Sequence, residues 1–327
     1  MDWLAIFNLA LGEILSPLTA AYILCAIGLA VHFGYTGLMN FGQAAFAAVG
    51  AYGLAIGILT FHLPTWAAVL FGIACAVVFA VVLGIPTLRL RADYLAIVTI
   101  AAAEIFRYLM LNSGFAPVTG GSAGLSAFNE EFRKFNPFPD GEYGFGPFVF
   151  REEELWIRIV GWGAVVLAAL FVMFVMRSPW GRVLRGIRED EDAVRSLGKN
   201  VFSYKLQALI IGGVIAAIGG MIFVLNLSNV QPSSWGTNFT FMIWTVLLLG
   251  GAATILGPIV GGMLFFLLLT LTQSIIGGLV DIGVINFLTP PQVGQVRFLI
   301  IGLALMLLVI FRPQGIFGNK KEMQFNG

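Results

Sequence analysis

With 17 acidic and 18 basic residues in 327 positions, any charge inside an apolar run stands out. Glu104 and Arg107 lie three residues apart within the apolar run 93–111. At that spacing two helical side chains share a face, and pairing neutralises charges that are separately costly in a membrane. The pair reads two ways: an internal packing contact near the outer end of a helix, or a contact for solute or gate. Asn40 and Gln43, in MNFGQAAF, are polar residues in a glycine-flanked apolar segment. Broken helices can aim free backbone groups and side-chain amides at a solute near the bilayer midplane. A zwitterionic amino acid would suit such neutral donors and acceptors. Interhelical hydrogen bonding is the other use of the same amides. Asp93, beside Arg89 and Arg91, reads more simply as an interfacial charge.

Catalytic and metal chemistry finds little footing. There is no G-x-x-x-x-G-K-[ST] phosphate loop, because Gly198-Lys199 lacks the upstream glycine, and no H-E-x-x-H. His32 falls near the end of a run and His62 in a loop, which suits structural or interfacial roles. Cys25 and Cys75 both sit in apolar runs, without metal-ligand spacing or a disulfide framework, and read as small packing residues. We therefore assign no catalytic residue and no metal site. A net charge of +1 gives no reason to invoke nucleic acid.

The elements that must position these residues are membrane helices. Hydrophobic residues make up 59% of the chain and charged ones 11%, against about 25% charged in ordinary soluble domains. A bilayer core of roughly 30 Å takes about 20 apolar residues per helix. Runs of that kind lie at 17–35, 41–60, 65–86, 93–111, 155–176, 206–226, 239–256, 258–280 and 296–311. Glycine or proline at several run ends predicts that some helices are broken or re-entrant. Residues 1–16 read as an amphipathic interfacial helix, with a short extra span as the alternative. Asp2 and Glu13 argue against a cleaved signal peptide. The series Gly250-Gly251, Gly257-Pro258 and Gly261-Gly262 predicts close helix packing around a tight turn.

Loop charges give a direction. Arg177, Arg182, Arg185, Arg188, Arg195, Lys199 and Lys205 form a basic segment; Arg89 with Arg91, and Arg312 with Lys320 and Lys321, form two more. The insert 112–154 carries Glu130, Glu131, Asp140, Glu142, Glu152, Glu153 and Glu154 against three basic residues. With the basic segments cytoplasmic, nine spans place the insert and the N-terminus outside and the tail 312–327 inside; Asp281 then lies outside. The insert is rich in aromatic residues, Gly and Pro, the chemistry of loops and short hairpins. It could cap the pathway, receive a partner or be a structured loop.

The strongest local signal is SPWGRVLRGIREDEDAVRSLGKN, 178–200. Ser178 suits an N-cap, Pro179 the first helical position and Gly198 a left-handed end. Val183, Leu184, Ile187, Val194 and Leu197 fall at helical spacing, and Arg185 with Glu189 and Arg188 with Asp192 can pair at i,i+4. Such a helix is a solvated connector, or a docking helix that offers an apolar ridge between charged rims.

This segment, continued through VFSYKLQAL, resembles the coupling helix of permease subunits of branched-chain amino acid ABC importers, the LivM type. GLMNFGQAAFAAVGAYG (37–53), LRLRADYLAIVTIAAAEIFRYL (88–109), TGGSAGL (119–125), LLGGAATILGPIVGG (248–262) and FRPQGIFG (311–318) resemble the same family in order along nearly the whole chain. The insert and DYLAIVTI favour the M-type subunit over its shorter H-type partner.

The resemblance implies an all-α integral membrane protein of about 9–10 transmembrane helices, with a permease fold related to the cobalamin importer. It spans 17–311 in the inner membrane of a prokaryote. Implied partners are a second permease of the LivH type, two cytoplasmic ATP-binding subunits that hold ATP and magnesium, and an extracytoplasmic substrate-binding protein. No cofactor is expected on this chain. Gly181, Arg182, Arg185, Ile187, Arg188, Glu189, Asp190, Asp192, Leu197 and Gly198 would couple it to the ATPase. Asn40, Gln43, Glu104 and Arg107, with Thr119, Gly120 and Gly121 as an external gate, are the pathway candidates. Urea or a short amide as solute, and an ion-coupled transporter working alone, are the competing readings. Against the second stands the scarcity of intramembrane carboxylates.

Overall fold

The structure is a computed structural model, and it describes residues 3–90, 92–145, 148–283, 290–312 and 314–318. Each of the nine apolar runs coincides with a helix. In chain order the helices are α1 (Trp3–Ile14), α2 (Pro17–Leu29, continued by a π turn at Ala30–Tyr35), α3 (Gln43–Leu59), α4 (Thr65–Thr87) and α5 (Ala92–Leu111). The insert contributes α6 (Ala116–Thr119), strand β1 (Leu125–Ser126), α7 (Glu130–Lys134) and the hairpin β2 (Glu142–Phe145) with β3 (Phe148–Arg151). Then come α8 (Glu152–Arg177), α9 (Pro179–Glu189), α10 (Glu191–Ser196), α11 (Val201–Leu227), β4 (Asn229–Val230), a 3-10 turn at Pro232–Trp235, α12 (Thr237–Gly250), α13 (Leu256–Asp281) and α14 (Pro290–Phe311).

Burial orders these helices into a centre and a ring. The spans of α2 and α11 are 89% and 78% buried, whereas those of α4, α5, α8 and α13 are 33%, 11%, 28% and 28% buried. Without a hydrophobic force between helices in lipid, close approach of small residues must hold the centre. Gly28 of α2 and Gly212 of α11 face each other so closely that a Cβ on either would overlap the other's backbone. α1 packs along α13 and leaves Trp3, Leu4 and Phe7 exposed.

Two helices are short. α3 has 17 residues and α12 has 14, and 14 residues extend only about 21 Å. Each adjoins a break. The chain leaves α2 through the π turn and runs non-helical over 37–42 before α3 begins. α12 ends at Gly250, and Gly251 turns at a φ of 118° into the 251–255 connection. A Cβ at Gly250 would overlap Gly257, so the tight turn between α12 and α13 requires glycine.

The last carbonyls of α12 are satisfied from far along the chain. Ile316 N–H donates to Leu249 O at 3.1 Å and Phe317 N–H to Gly250 O at 2.9 Å. Residues 314–318 are therefore part of the packed bundle and not a free tail, because a helix that ends early exposes carbonyls that need donors. Arg91, Lys320 and Lys321 lie outside the described residues.

One end of the molecule gathers the acidic insert. β1 pairs antiparallel with β4, Leu125 opposite Val230, which ties the insert to the α11–α12 connection. The Glu131 carboxylate accepts from Thr65 N–H at 3.0 Å and so caps the start of α4. Arg158 lies over the Phe150 ring, 3.7 Å from its centre. The opposite end gathers the break at 37–42, the turn at 88–90, the segment 178–200 and residues 314–318.

Candidate functional site

The break at 37–42 encloses a buried polar knot. Asn40 is 1% exposed, Gln43 and His32 0%. The His32 Nε2 nitrogen lies 3.1 Å from Leu209 O, and a carbonyl can only accept, so Nε2 carries the proton. Nδ1 is then an acceptor, and Asn40 Nδ2 donates to it at 3.1 Å. The second amide hydrogen of Asn40 goes to Gln43 Oε1 at 2.9 Å, and Asn40 Oδ1 accepts from Gly42 N–H at 2.8 Å. Gln43 Nε2 reaches back to Cys25 O at 3.0 Å. The knot thus joins α2, the break, α3 and α11, and His32 is a neutral structural residue within it.

Neighbouring helices complete the cage. Ala44 N–H at the start of α3 donates to Thr240 Oγ1 of α12 at 3.0 Å, and Phe41 N–H to Thr99 Oγ1 of α5 at 3.0 Å. Trp244 Nε1 donates to Asn40 O at 3.2 Å, while its ring stacks on Phe41 with centroids 4.6 Å apart. Asn40 and Gln43 spend their hydrogen-bonding capacity on protein in this conformation. Sequence reasoning missed Thr99, Thr240 and Trp244, since nothing local marks a residue that caps another helix's start.

Glu104 and Arg107 form an ion pair of 2.7 Å with side chains 29% and 21% exposed. Thr237 Oγ1 of α12 donates to Glu104 at 3.1 Å, and the guanidinium lies over the Tyr108 ring, 4.6 Å from its centre. The pair sits on α5, the least buried of the long spans among the described residues, whose Tyr94, Ile97 and Ile105 are exposed. Thr119 is buried and its hydroxyl donates to the Met110 carbonyl at 3.0 Å. Gly120 and Gly121 follow in left-handed conformations, φ 75° and 56°, and make a compact turn in which Gly120 abuts Gly124, which in turn lies against Val230 of β4. These residues lie at the acidic end, apart from Asn40 and Gln43.

The segment 178–200 differs from the single helix its sequence predicts. Asp190 adopts an extended conformation, φ −155°, and caps α10 by accepting from Ala193 N–H at 2.9 Å. The result is two helices, α9 and α10. Ser178 does not cap α9 with its side chain; its hydroxyl donates back to Val175 O at 2.6 Å. Gly198 does close the segment at φ 77°.

The predicted pairs Arg185–Glu189 and Arg188–Asp192 do not form: the Met176 carbonyl takes the Arg185 guanidinium, and the bend at Asp190 removes the face that Arg188 and Asp192 would share. Arg185 Nη2 donates to Met176 O at 3.0 Å, at the end of α8. Arg188 pairs with Glu189 at 2.6 Å. Arg195 instead pairs with Glu191 and Asp192, both at 2.8 Å, and Lys205 of α11 pairs with Glu191.

Most of the apolar ridge that could have served for docking faces inward, with Leu197 the exception. Leu184 and Ile187 are buried at 0% and 4% exposure, and a Cβ at Gly181 would overlap Met176. Membrane helices next to it offer the larger apolar area, so the ridge packs there. Arg182, Glu189, Asp190, Asp192, Leu197 and Gly198 remain exposed. Among the described residues no cluster of His, Cys, Asp or Glu could hold a metal.

A bundle of apolar helices, two of them broken around a polar knot, with a charged helix pair rooted against one end, defines an all-α integral membrane permease. Residues 13–310 match the family described as branched-chain amino acid transport system, permease component, and the chain belongs to that family. It is 29% identical over 317 residues to the high-affinity branched-chain amino acid transport system permease protein LivM of Escherichia coli K12, covering 92% of this chain and 69% of that one. It is 24% identical to the probable LivM of Methanocaldococcus jannaschii, with 91% of each chain covered. A nucleoside ABC transporter permease protein, NupC, of Lactococcus lactis is 25% identical over 250 residues, 74% of this chain and 75% of the relative.

Proposed function

We propose that this chain is a pathway-forming subunit of an ATP-driven importer for leucine, isoleucine, valine or related amino acids. It works with a second permease of the LivH type, two cytoplasmic ATP-binding subunits and an extracytoplasmic substrate-binding protein. The observation that carries this reading is the α9–α10 pair. A charged, exposed rim of Arg182, Glu189, Asp190 and Asp192 is rooted in the bundle through buried Gly181, Leu184 and Ile187. That is the build of a lever: the rim meets a partner and the buried side moves the membrane helices. The basic end is then cytoplasmic, by the excess of Lys and Arg in its loops.

Glu104 and Arg107 indicate where the pathway runs. An ion pair on the least buried span would be costly against lipid. Facing the second permease across a hydrated pathway, the same pair keeps its charges wet. Thr119, Gly120 and Gly121 form the turn above that face on the acidic side and serve as part of its outer gate.

Replacing Ile187 by proline tests the lever. Proline in a helix interior costs about 3 kcal/mol and removes one α9 hydrogen bond. Both co-purification with the ATP-binding subunits and leucine uptake should be lost; survival of both would sink the assignment. The likeness to a nucleoside permease keeps a second solute class in view. A thermal-shift screen of amino acids, amides and nucleosides on the cognate binding protein decides between them.

A further inference from the structure

Three polar contacts among the described residues, each of a different kind, help to fasten α9 to the rest of the bundle. Trp180 Nε1 donates to Gln207 Oε1 of α11 at 2.7 Å, and Arg185 donates to the end of α8. Both fasten α9 to long, unbroken helices. The third reaches the break. Arg188 Nη1 donates to Gly34 O, within the π turn, at 2.5 Å, while Nε and Nη2 hold Glu189 Oε1 at 3.0 and 2.6 Å. The Arg188 side chain is 11% exposed.

The π turn ends at Tyr35, and the next donors reach past Gly34: Gly37 N–H goes to Phe33 O and Leu38 N–H to His32 O. A carbonyl at the end of a helix carries partial negative charge, which a guanidinium complements. On its other side Gly34 touches the α12–α13 connection so closely that a Cβ would overlap Ala252. Gly37, with φ 74°, lies against Arg188 itself. Two residues before Gly34, His32 belongs to the Asn40–Gln43 knot, and Trp244 of α12 grips Asn40 O. The π turn is therefore wedged between Arg188 and the two broken helices. A cavity of about 150 Å³ lies beside it, lined by Gly37, Leu95, Ile187 and Arg188.

We propose that Arg188 is the positioning residue that carries displacement of α9 into the π turn, and through it into the paired breaks before α3 and after α12. Its guanidinium adds a charged hold on the Gly34 carbonyl to the direct packing of α9 against the π turn. This rests on the reading of α9–α10 as the coupling segment.

The test uses the whole importer in proteoliposomes, with radiolabelled leucine as the probe, and compares wild type with Arg188→Lys and Arg188→Gln. The readout is leucine transported per ATP hydrolysed, which a residue needed only for folding would not change. We expect both variants to assemble and hydrolyse ATP. The ratio should fall at least tenfold in Arg188→Gln and by less in Arg188→Lys, which keeps a cation but cannot hold Glu189 and Gly34 together. A ratio within twofold of wild type in Arg188→Gln overturns the proposal and leaves the coupling segment standing. Failure of both variants to assemble makes Arg188 a folding residue and overturns it too. If wild type itself binds no ATP-binding subunit, the coupling reading fails and takes the assignment with it.

Discussion

Asn40 has two amide hydrogens and one carbonyl oxygen, and all three contact points are used: His32, Gln43 and the Gly42 N–H. Leucine at this position would keep the branched side-chain shape and strand three polar groups in a site that is 1% exposed. A buried donor or acceptor left unpaired costs about 1–3 kcal/mol, and coupled groups do not add fully. Asn40→Leu should therefore lower stability by about 2–4 kcal/mol in chemical denaturation in detergent. A loss under 1 kcal/mol would mean that the knot relaxes around the change. The pairing at Asn40 was half legible beforehand. Two amides in an apolar, glycine-flanked segment mark a polar task, but which task depends on whether a helix end or open space lies opposite. Here Leu209 O, Cys25 O and Trp244 lie opposite, and they come from 15 or more residues away in sequence.

Elements show the same division. Helix existence followed from apolar length, so all nine runs proved helical with ends shifted by a few residues. The bend at Asp190 did not follow, because the apolar spacing is compatible with one helix until α9 is anchored and α10 must reach Lys205. The π turn carries no periodic signature either; it exists because Gly34 must pass close to Ala252. A matched pair of glycines tests that cause. Gly34→Ala should lose folded yield and uptake, since its Cβ has no space between the π turn and the α12–α13 connection. Gly163→Ala in α8, whose Cβ meets nothing within 4 Å, should be neutral or stabilising by up to about 1 kcal/mol. Equal tolerance of both, measured by fluorescence-detected size exclusion and thermal challenge, would show that close approach at Gly34 is not required.

For the whole molecule the open quantity is direction. Phe135 at the acidic end is 60% exposed and Leu197 at the basic end 79%. In a background with Cys25 and Cys75 replaced, Phe135→Cys should react with a membrane-impermeant maleimide in intact spheroplasts. Leu197→Cys should react only after permeabilisation. The reverse pattern would invert the topology and remove the α9–α10 rim from reach of cytoplasmic ATPases. The sequence by itself determined the solvent, where the apolar helices lie and the asymmetry of charge between the ends, because each depends only on composition within a segment. The motif order also carried the family, which residues 13–310 then showed. Tertiary structure alone decided that the ridge of α9 faces inward, that residues 314–318 close the end of α12, and that Arg188 meets Gly34. Those outcomes depend on which unpaired backbone groups the fold leaves within reach, and no local pattern encodes a partner 154 residues away.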